Sequence, residues 1–228
     1  MSLNQKIIAV TGANGNLGRA VATAALAQGA SVALLDIAFA DDLKESSDER
    51  IRCFEVDMFN EQATRDAFTA IGAIDGLCNA AGGFAMGTAV HDTTESDWQM
   101  MFNLNVLTVL NSSRACVPAM LTRGHGAIVN IGAAAAIKGE ALMGPYLATK
   151  SVVLRVTETM SEELKEQGIN VNCVMPSVID TPQNRSAMPD ADGSDWVSPE
   201  QLAEVICFLL SDAASGVHGA CVPVKNLA

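Results

Sequence analysis

The chain has 228 residues, 26 acidic and 14 basic, for a formal net charge of −12 at pH 7. That sign argues against binding a nucleic-acid backbone, and 49% hydrophobic residues can fill a sizeable core, which argues against disorder. No apolar run is long enough to span a bilayer, and the start lacks the charged-then-apolar pattern of a secretory signal, so no membrane partner is expected.

Short Val- and Ile-rich runs near residues 6–10, 31–35, 51–56, 76–78, 127–131, 170–174 and 220–224 read as strands buried on both faces. Helical patterns fill most gaps between them. The expected fold class is α/β, a doubly wound, Rossmann-like parallel sheet forming a single domain over residues 1–228.

The first strand runs into Thr11-Gly12-Ala13-Asn14-Gly15-Asn16-Leu17-Gly18, followed by a helical pattern that stops at Gly29. Glycines here permit a tight turn and let N–H groups at a helix N-terminus approach a pyrophosphate, although any strand-to-helix turn also favours glycine. Asn14 and Asn16 tolerate left-handed backbone. The second strand ends at Asp36, at about the spacing expected of an acid that binds a ribose. Its carboxylate would repel a 2′-phosphate, and the sequel carries Asp41, Asp42, Glu45, Asp48 and Glu49 instead of arginine, which favours NAD(H) over NADP(H). Asp36 also suits a capping or solvated role, and the acidic run suits a solvated loop face. Asp57, followed by Met58, ends the third strand, and Asn79-Ala80-Ala81-Gly82-Gly83 ends the fourth, at the sheet edge where ligands bind.

A long helix is expected over 95–123, containing Asn105. A buried amide there needs partners, at about 1–3 kcal/mol if left without them, so a backbone group or ordered water is expected; a solvated polar face is the alternative. A further helix is expected over 145–167, with Pro145 in its first turn. Tyr146, the single tyrosine, and Lys150 share one face at i, i+4. A cation beside a phenol lowers its pKa from about 10 and equips it for proton exchange near neutrality. The pair equally fits a core tyrosine and a lysine reaching out to solvent. The six cysteines, scattered through apolar runs, read as free thiols of a reducing, cytoplasmic setting, and the isolated His91, His125 and His218 predict no metal site.

Residues 11–18, Asp57, Asn79 to Gly82, Asn105 and Tyr146-Leu147-Ala148-Thr149-Lys150, in this order, resemble the short-chain dehydrogenase/reductase family, and the resemblance covers essentially the whole chain. It implies a small-molecule substrate, with Tyr146 as proton donor or acceptor. Lys150 would bond the nicotinamide ribose while lowering the tyrosine pKa, and Asn105 would hold a water of the proton relay. Cofactor contacts are implied at Gly12, Asn14, Gly15, Asn16, Leu17, Gly18, Asp36, Asp57, Met58, Asn79, Ala80, Ala81, Gly82, Tyr146 and Lys150. Pro176-Ser177-Val178-Ile179-Asp180-Thr181 resembles the segment that holds the nicotinamide amide, with Ser177 in place of the usual glycine and with Ile179 and Thr181 orienting the carboxamide. The resemblance also implies pairing through the long helices, as a homodimer or homotetramer.

Ala133 stands where the family usually carries its catalytic serine, a donor whose loss typically costs about 10²- to 10³-fold in rate. The dihydropteridine reductase branch similarly has a small residue there. It also has an aromatic after paired glycines, as at Phe84, and a lid like residues 180–196, which include Met188. Phe84, Ala133 and Met188 are the implied substrate contacts. The expected function is therefore an NADH-dependent oxidoreductase of a dihydropteridine-like or other conjugated substrate. Two alternatives stand beside it: a carbonyl or alcohol reductase, including one of 3-oxoacyl thioesters, working without the serine, and a homologue that binds the dinucleotide without turnover.

Overall fold

A computed structural model describes residues 2–44 and 46–227, leaving Met1, Ala228 and Glu45 of the acidic run outside. Seven strands, β1 (Ile7–Thr11), β2 (Ser31–Asp36), β3 (Ile51–Glu55), β4 (Gly76–Asn79), β5 (Gly126–Ile131), β6 (Ile169–Pro176) and β7 (Cys221–Val224), form one parallel sheet. Its order is β3-β2-β1-β4-β5-β6-β7. The doubly wound single sheet expected from the alternating pattern is thus present, with strand ends shifted by a residue or two.

The near-continuous apolar strands are buried because helices cover both faces. Helices α1 (Asn16–Ala27) and α8 (Pro199–Leu210) lie on one side, where Val10, Val21, Leu34, Val129, Leu202 and Ile206 share a core. On the other side α3 (Glu61–Ile71), α5 (Thr108–Arg123) and α6 (Gly144–Leu164) enclose Leu35, Phe68, Leu77, Met120, Ile128 and Val171. Two short helices, α2 (Asp41–Lys44) and α7 (Pro182–Ala187), and the helix α4 (Glu95–Phe102) complete the set. The chain leaves β1 for β2 and β3 on one side and returns to β4 on the other. This reversal opens a crevice at the carboxyl ends of β1 and β4.

The continuous helix expected over 95–123 is corrected by the structure. Between α4 and α5, Asn103–Leu107 widens into a π-helical turn that contains Asn105. Apolar residues at Met101, Phe102, Leu104, Val106, Leu107, Val109 and Leu110 stand too close together for their spacing to reveal the wider ring. The helix expected over 145–167 is α6 followed by a 3₁₀ turn, Lys165–Gln167, stopped by Gly168 at φ 76°. Among the described residues, no helix is long and apolar enough to cross a membrane.

Candidate active site

The glycine turn after β1 is shaped by sterics. Gly12 lies at φ +63°, and a Cβ there would meet the Ala81 backbone at 2.7 Å. A Cβ on Gly18 would collide with the Gly12 carbonyl oxygen. Gly12 alone within the turn takes positive φ, so Asn14 and Asn16 do not use the left-handed backbone that their residue type permits. Asn14 instead organises the turn by hydrogen bonds. Its N–H donates to Asp36 Oδ2 at 2.9 Å, while its Oδ1 accepts from Arg19 Nη2 at 2.7 Å and its carbonyl from Arg19 Nε at 3.2 Å. Asp42 holds that arginine through Nη1 at 2.6 Å. Arg19 was not singled out in the sequence; its place one residue past the last glycine is the signal that could have found it.

Asp36 ends β2 half-buried, with Oδ1 accepting from the Ile37 N–H at 2.7 Å. Asp57 is exposed and accepts from the Phe59 N–H at 2.9 Å, and Met58 is buried with its carbonyl accepting from Asn111. Leu17 packs on the core side of α1. Asn16 donates to Gln183 Oε1 of α7 at 2.8 Å and so ties the glycine turn to residues 180–196. The cradle made by Gly12, Gly15 and Gly18 at the start of α1, with a carboxylate at the end of β2, fits a dinucleotide. N–H groups at the start of α1 would meet its pyrophosphate and the Asp36 carboxylate its ribose.

The end of β4 divides its roles. The Asn79 side chain belongs to a buried polar chain, accepting from Ser112 Oγ at 2.6 Å and donating to Asn130 Oδ1 at 2.8 Å, with Asn130 donating onward to Thr157. Its amide therefore locks β4 to β5, and the backbone of Ala80, Ala81 and Gly82 faces the crevice. The Ala81 N–H donates to Thr11 Oγ1 at 3.2 Å. A Cβ on Gly82 would meet Asn105 Oδ1 at 2.9 Å and Lys150 Nζ at 3.4 Å, which places all three together.

Asn105 is buried, and the solvated alternative is excluded. Its Oδ1 accepts from the Gly83 N–H at 2.9 Å, and its Nδ2 donates to Thr149 Oγ1 at 3.2 Å. The hydroxyl of Thr149 in turn donates to the Tyr146 carbonyl at 2.9 Å. Thr149 is a positioning residue that the motif contained unremarked, a buried polar side chain one place before Lys150. Lys150 is itself buried, and its ammonium donates to the Ile131 carbonyl at 2.8 Å at the end of β5.

Tyr146 and Lys150 do share a face of α6, but the expected lowering of the phenol is corrected. Burial pushes Tyr146 up to about 12, and burial brings Lys150 down from 10.5 to about 8. Among the described residues no hydrogen bond joins the two side chains, and burial sets the direction of both shifts. A phenol in this condition holds its proton at neutral pH.

Around Tyr146 the walls are apolar. The Phe84 ring stands edge-on to it at 4.8 Å between centroids, and Ala133 and Ala136 are buried in the cluster against which it packs. Phe84, Met86, Ile137, Leu142 and Met188 are exposed, in the segments that follow β4, β5 and β6. Residues 180–196 form an ordered strap. Thr181 caps α7 by accepting from the Asn184 N–H at 3.2 Å, and Arg185 grips Asp180 at 2.7 and 2.9 Å and lies 4.9 Å over the Trp196 ring. Ile179 bridges to Val197 through bonds that leave its own N–H unused, and Pro176 closes β6.

This geometry has close parallels among known proteins. Residues 6–192 match the short chain dehydrogenase family. The chain is 32% identical to 2-(S)-hydroxypropyl-CoM dehydrogenase 3 of Xanthobacter autotrophicus, over 98% of this chain and 96% of that one. It is 30% identical to the 3-oxoacyl-[acyl-carrier-protein] reductase FabG of Thermotoga maritima, over 99% and 98%. The fold superposes on an NAD+-bound xylitol dehydrogenase with a TM-score of 0.89 at 25% identity, covering 99% of this chain and all of that one. A short-chain type dehydrogenase/reductase from Mycobacterium ulcerans gives 0.91 at 27%, covering 100% and 90%. A half-buried Tyr146 one turn from the buried Lys150, beside the crevice at the ends of β1 and β4 and in a chain matching that family over most of its length, makes this protein an oxidoreductase of the short-chain dehydrogenase family.

Proposed function

We propose that the chain is an NADH-dependent reductase of a flat, conjugated substrate of the dihydropteridine kind. The observation that carries this reading is the alanine wall beside Tyr146, where Ala133 and Ala136 offer no side-chain donor to a localised oxyanion. Hydride delivered into a conjugated ring spreads its charge, so the missing donor matters less there than in carbonyl reduction. Phe84, 4.8 Å from the tyrosine ring, and the exposed Met188 supply apolar surface for such a ring.

NADH supplies the hydride. Gly12, Asn14, Gly15, Asn16, Leu17 and Gly18 receive its pyrophosphate end, Asp36 and Asp57 its adenosine, and Asn79 to Gly82, Pro176, Ile179 and Thr181 its nicotinamide end. Support for NADH over NADPH comes from Asp36 at the ribose position and from Asp42 neutralising Arg19. Tyr146, protonated at neutral pH, donates the proton. Lys150, buried and charged below about 8, stabilises the phenolate left behind. Asn105, fixed by Gly83 and Thr149, holds the π-turn against this pair. Free thiols suit a reducing cytoplasm. Exposed Phe102 and Val152 on the outward side of the α4–α6 region suit a homodimer or homotetramer.

A second reading, reduction of a ketone or 3-oxoacyl thioester without the serine, is favoured by the named chemistry of two relatives. Cofactor binding without turnover is a third, opposed by the presence of both Tyr146 and Lys150. An oxidation assay with NADH and NADPH over quinonoid dihydropterin, quinone and carbonyl substrates separates them. We expect turnover of the pterin with NADH, its loss in Tyr146→Phe, and little change in Ala133→Ser. Strong carbonyl turnover that Ala133→Ser raises about 10²-fold or more, with none on pterins, would falsify the substrate assignment. Binding with no activity across the panel supports the third reading.

A further inference from the structure

Cys173 on β6 and Cys221 at the start of β7 are direct register partners on neighbouring parallel strands, so their side chains leave the same face of the sheet. Adjacent strands lie about 4.7–4.9 Å apart, inside the roughly 4.4–6.8 Å between Cα atoms that a disulfide spans. Cys173 is fully buried, whereas Cys221 is half-buried and open to small solutes. Cys173 belongs to the cluster of Ala133, Ala136, Leu154 and Met175, on which Tyr146 and Cys221 both pack. Its sulfur would be 2.9 Å from a Cβ on Gly132, the residue between the Lys150 acceptor Ile131 and Ala133.

The two thiols differ in a way that suits them to successive steps. Hydrogen bonding with Cys173 holds the Cys221 thiol below its ordinary value, and the same contact raises Cys173 well above. Burial raises Cys53, Cys78, Cys116 and Cys207, so Cys221 is the one cysteine of six shifted downward. An accessible thiolate next to a second thiol is the arrangement that peroxides oxidise selectively.

We propose that Cys173 and Cys221 form a peroxide-reactive dithiol that closes to a disulfide beneath the Tyr146–Lys150 pair and slows turnover. The Cys221 thiolate attacks one oxygen of hydrogen peroxide; the O–O bond breaks, giving a sulfenic acid and a hydroxide that takes up a proton as water. The Cys173 sulfur then attacks the Cys221 sulfur. An S–S bond forms, the S–O bond breaks, and the hydroxyl leaves as a second water with the Cys173 proton. Two thiols are oxidised by two electrons and one peroxide is reduced to two waters. Drawing the Cys173 sulfur towards β7 removes it from under Gly132 and shifts the Ile131 carbonyl that seats Lys150.

The test treats the full chain with hydrogen peroxide and reads intact mass, peptide mapping and NADH oxidation in parallel. The expected result is a loss of two hydrogens, mapped to a Cys173–Cys221 link, with turnover down at least tenfold and restored by dithiothreitol. Cys221→Ser is expected to keep the basal rate and resist peroxide, whereas Cys53→Ser behaves as the parent chain. Absence of the two-hydrogen loss, a link elsewhere, or equal inactivation of Cys221→Ser overturns the proposal; a mapped link with an unchanged rate overturns its effect on turnover. The rate arm rests on the reductase reading, but the mass arm does not, so the failure of either is recognisable.

Discussion

Lys150 carries an ammonium into a site where burial removes most of its hydration, and the Ile131 carbonyl accepts from it. The folded chain therefore releases this proton at about 8, while the unfolded chain keeps it to 10.5. Between those values the unfolded state binds more protons, so stability rises with pH across the window, by up to about 3 kcal/mol at 1.36 kcal/mol per unit. Tyr146 acts oppositely, since its folded value of about 12 lies above the ordinary 10 and the folded state keeps a proton that the unfolded state loses. That contribution falls away only above about pH 10 and leaves the lower window to the lysine. Chemical denaturation of the parent chain and Lys150→Met from pH 7 to 10 isolates the effect. The parent is expected to gain on the variant by about 1–3 kcal/mol between pH 8 and 10. A constant difference would show that the ammonium is solvated in the folded protein.

Elements decide what single residues cannot. Asn105 reaches Gly83 and Thr149 because the π-helical turn Asn103–Leu107 breaks the register of what would otherwise be one helix. Thr149→Val keeps the shape but removes both the acceptor for the buried amide and the hydroxyl bound to the Tyr146 carbonyl. A buried donor left without a partner costs about 1–3 kcal/mol, and in a chain of this size each kcal/mol lowers Tm by about 2–4 °C. Thr149→Val is expected to lower Tm accordingly and to reduce kcat more than KM, while Thr149→Ser restores both. Equal stability and kcat in the two variants would remove Thr149 from the positioning of the site. The strands, the glycine turn, Asp36 and the Tyr146–Lys150 face were legible in the sequence because each rests on local period or spacing. The π-turn was not, because apolar residues fill most positions from Met100 to Leu110 and leave no single stripe whose phase could show the added residue. The protonation of Tyr146 was not, because desolvation depends on Phe84 and Ala133 arriving from distant strand ends. The opposition of Cys173 and Cys221 needs the β6–β7 register, which no spacing along the chain encodes.

At the scale of the molecule, the sheet buries two cores, yet one outer face remains apolar. Between α4 and α6, Trp98, Phe102, Ala148 and Val152 line a groove, and Val152, Val156 and Met160 continue it along α6. Phe102 and Val152 are 40% and 37% exposed, an arrangement that a monomer in water gains nothing by keeping. The same two helices carry the turn beside Asn105 and the Tyr146–Lys150 pair, so a second copy seated here would brace the site from behind. A twofold interface presents each residue twice. A carboxylate introduced near its axis therefore meets its own copy, and the repulsion is applied to both subunits at once. Val152→Glu is expected to convert a dimer or tetramer to monomers at micromolar concentration, by light scattering after size exclusion. It should also make kcat fall with dilution, while binding of a nicotinamide dinucleotide weakens less. A parent chain that is monomeric under the same conditions, or a Val152→Glu variant that assembles as the parent does, would show that this face serves something other than self-association.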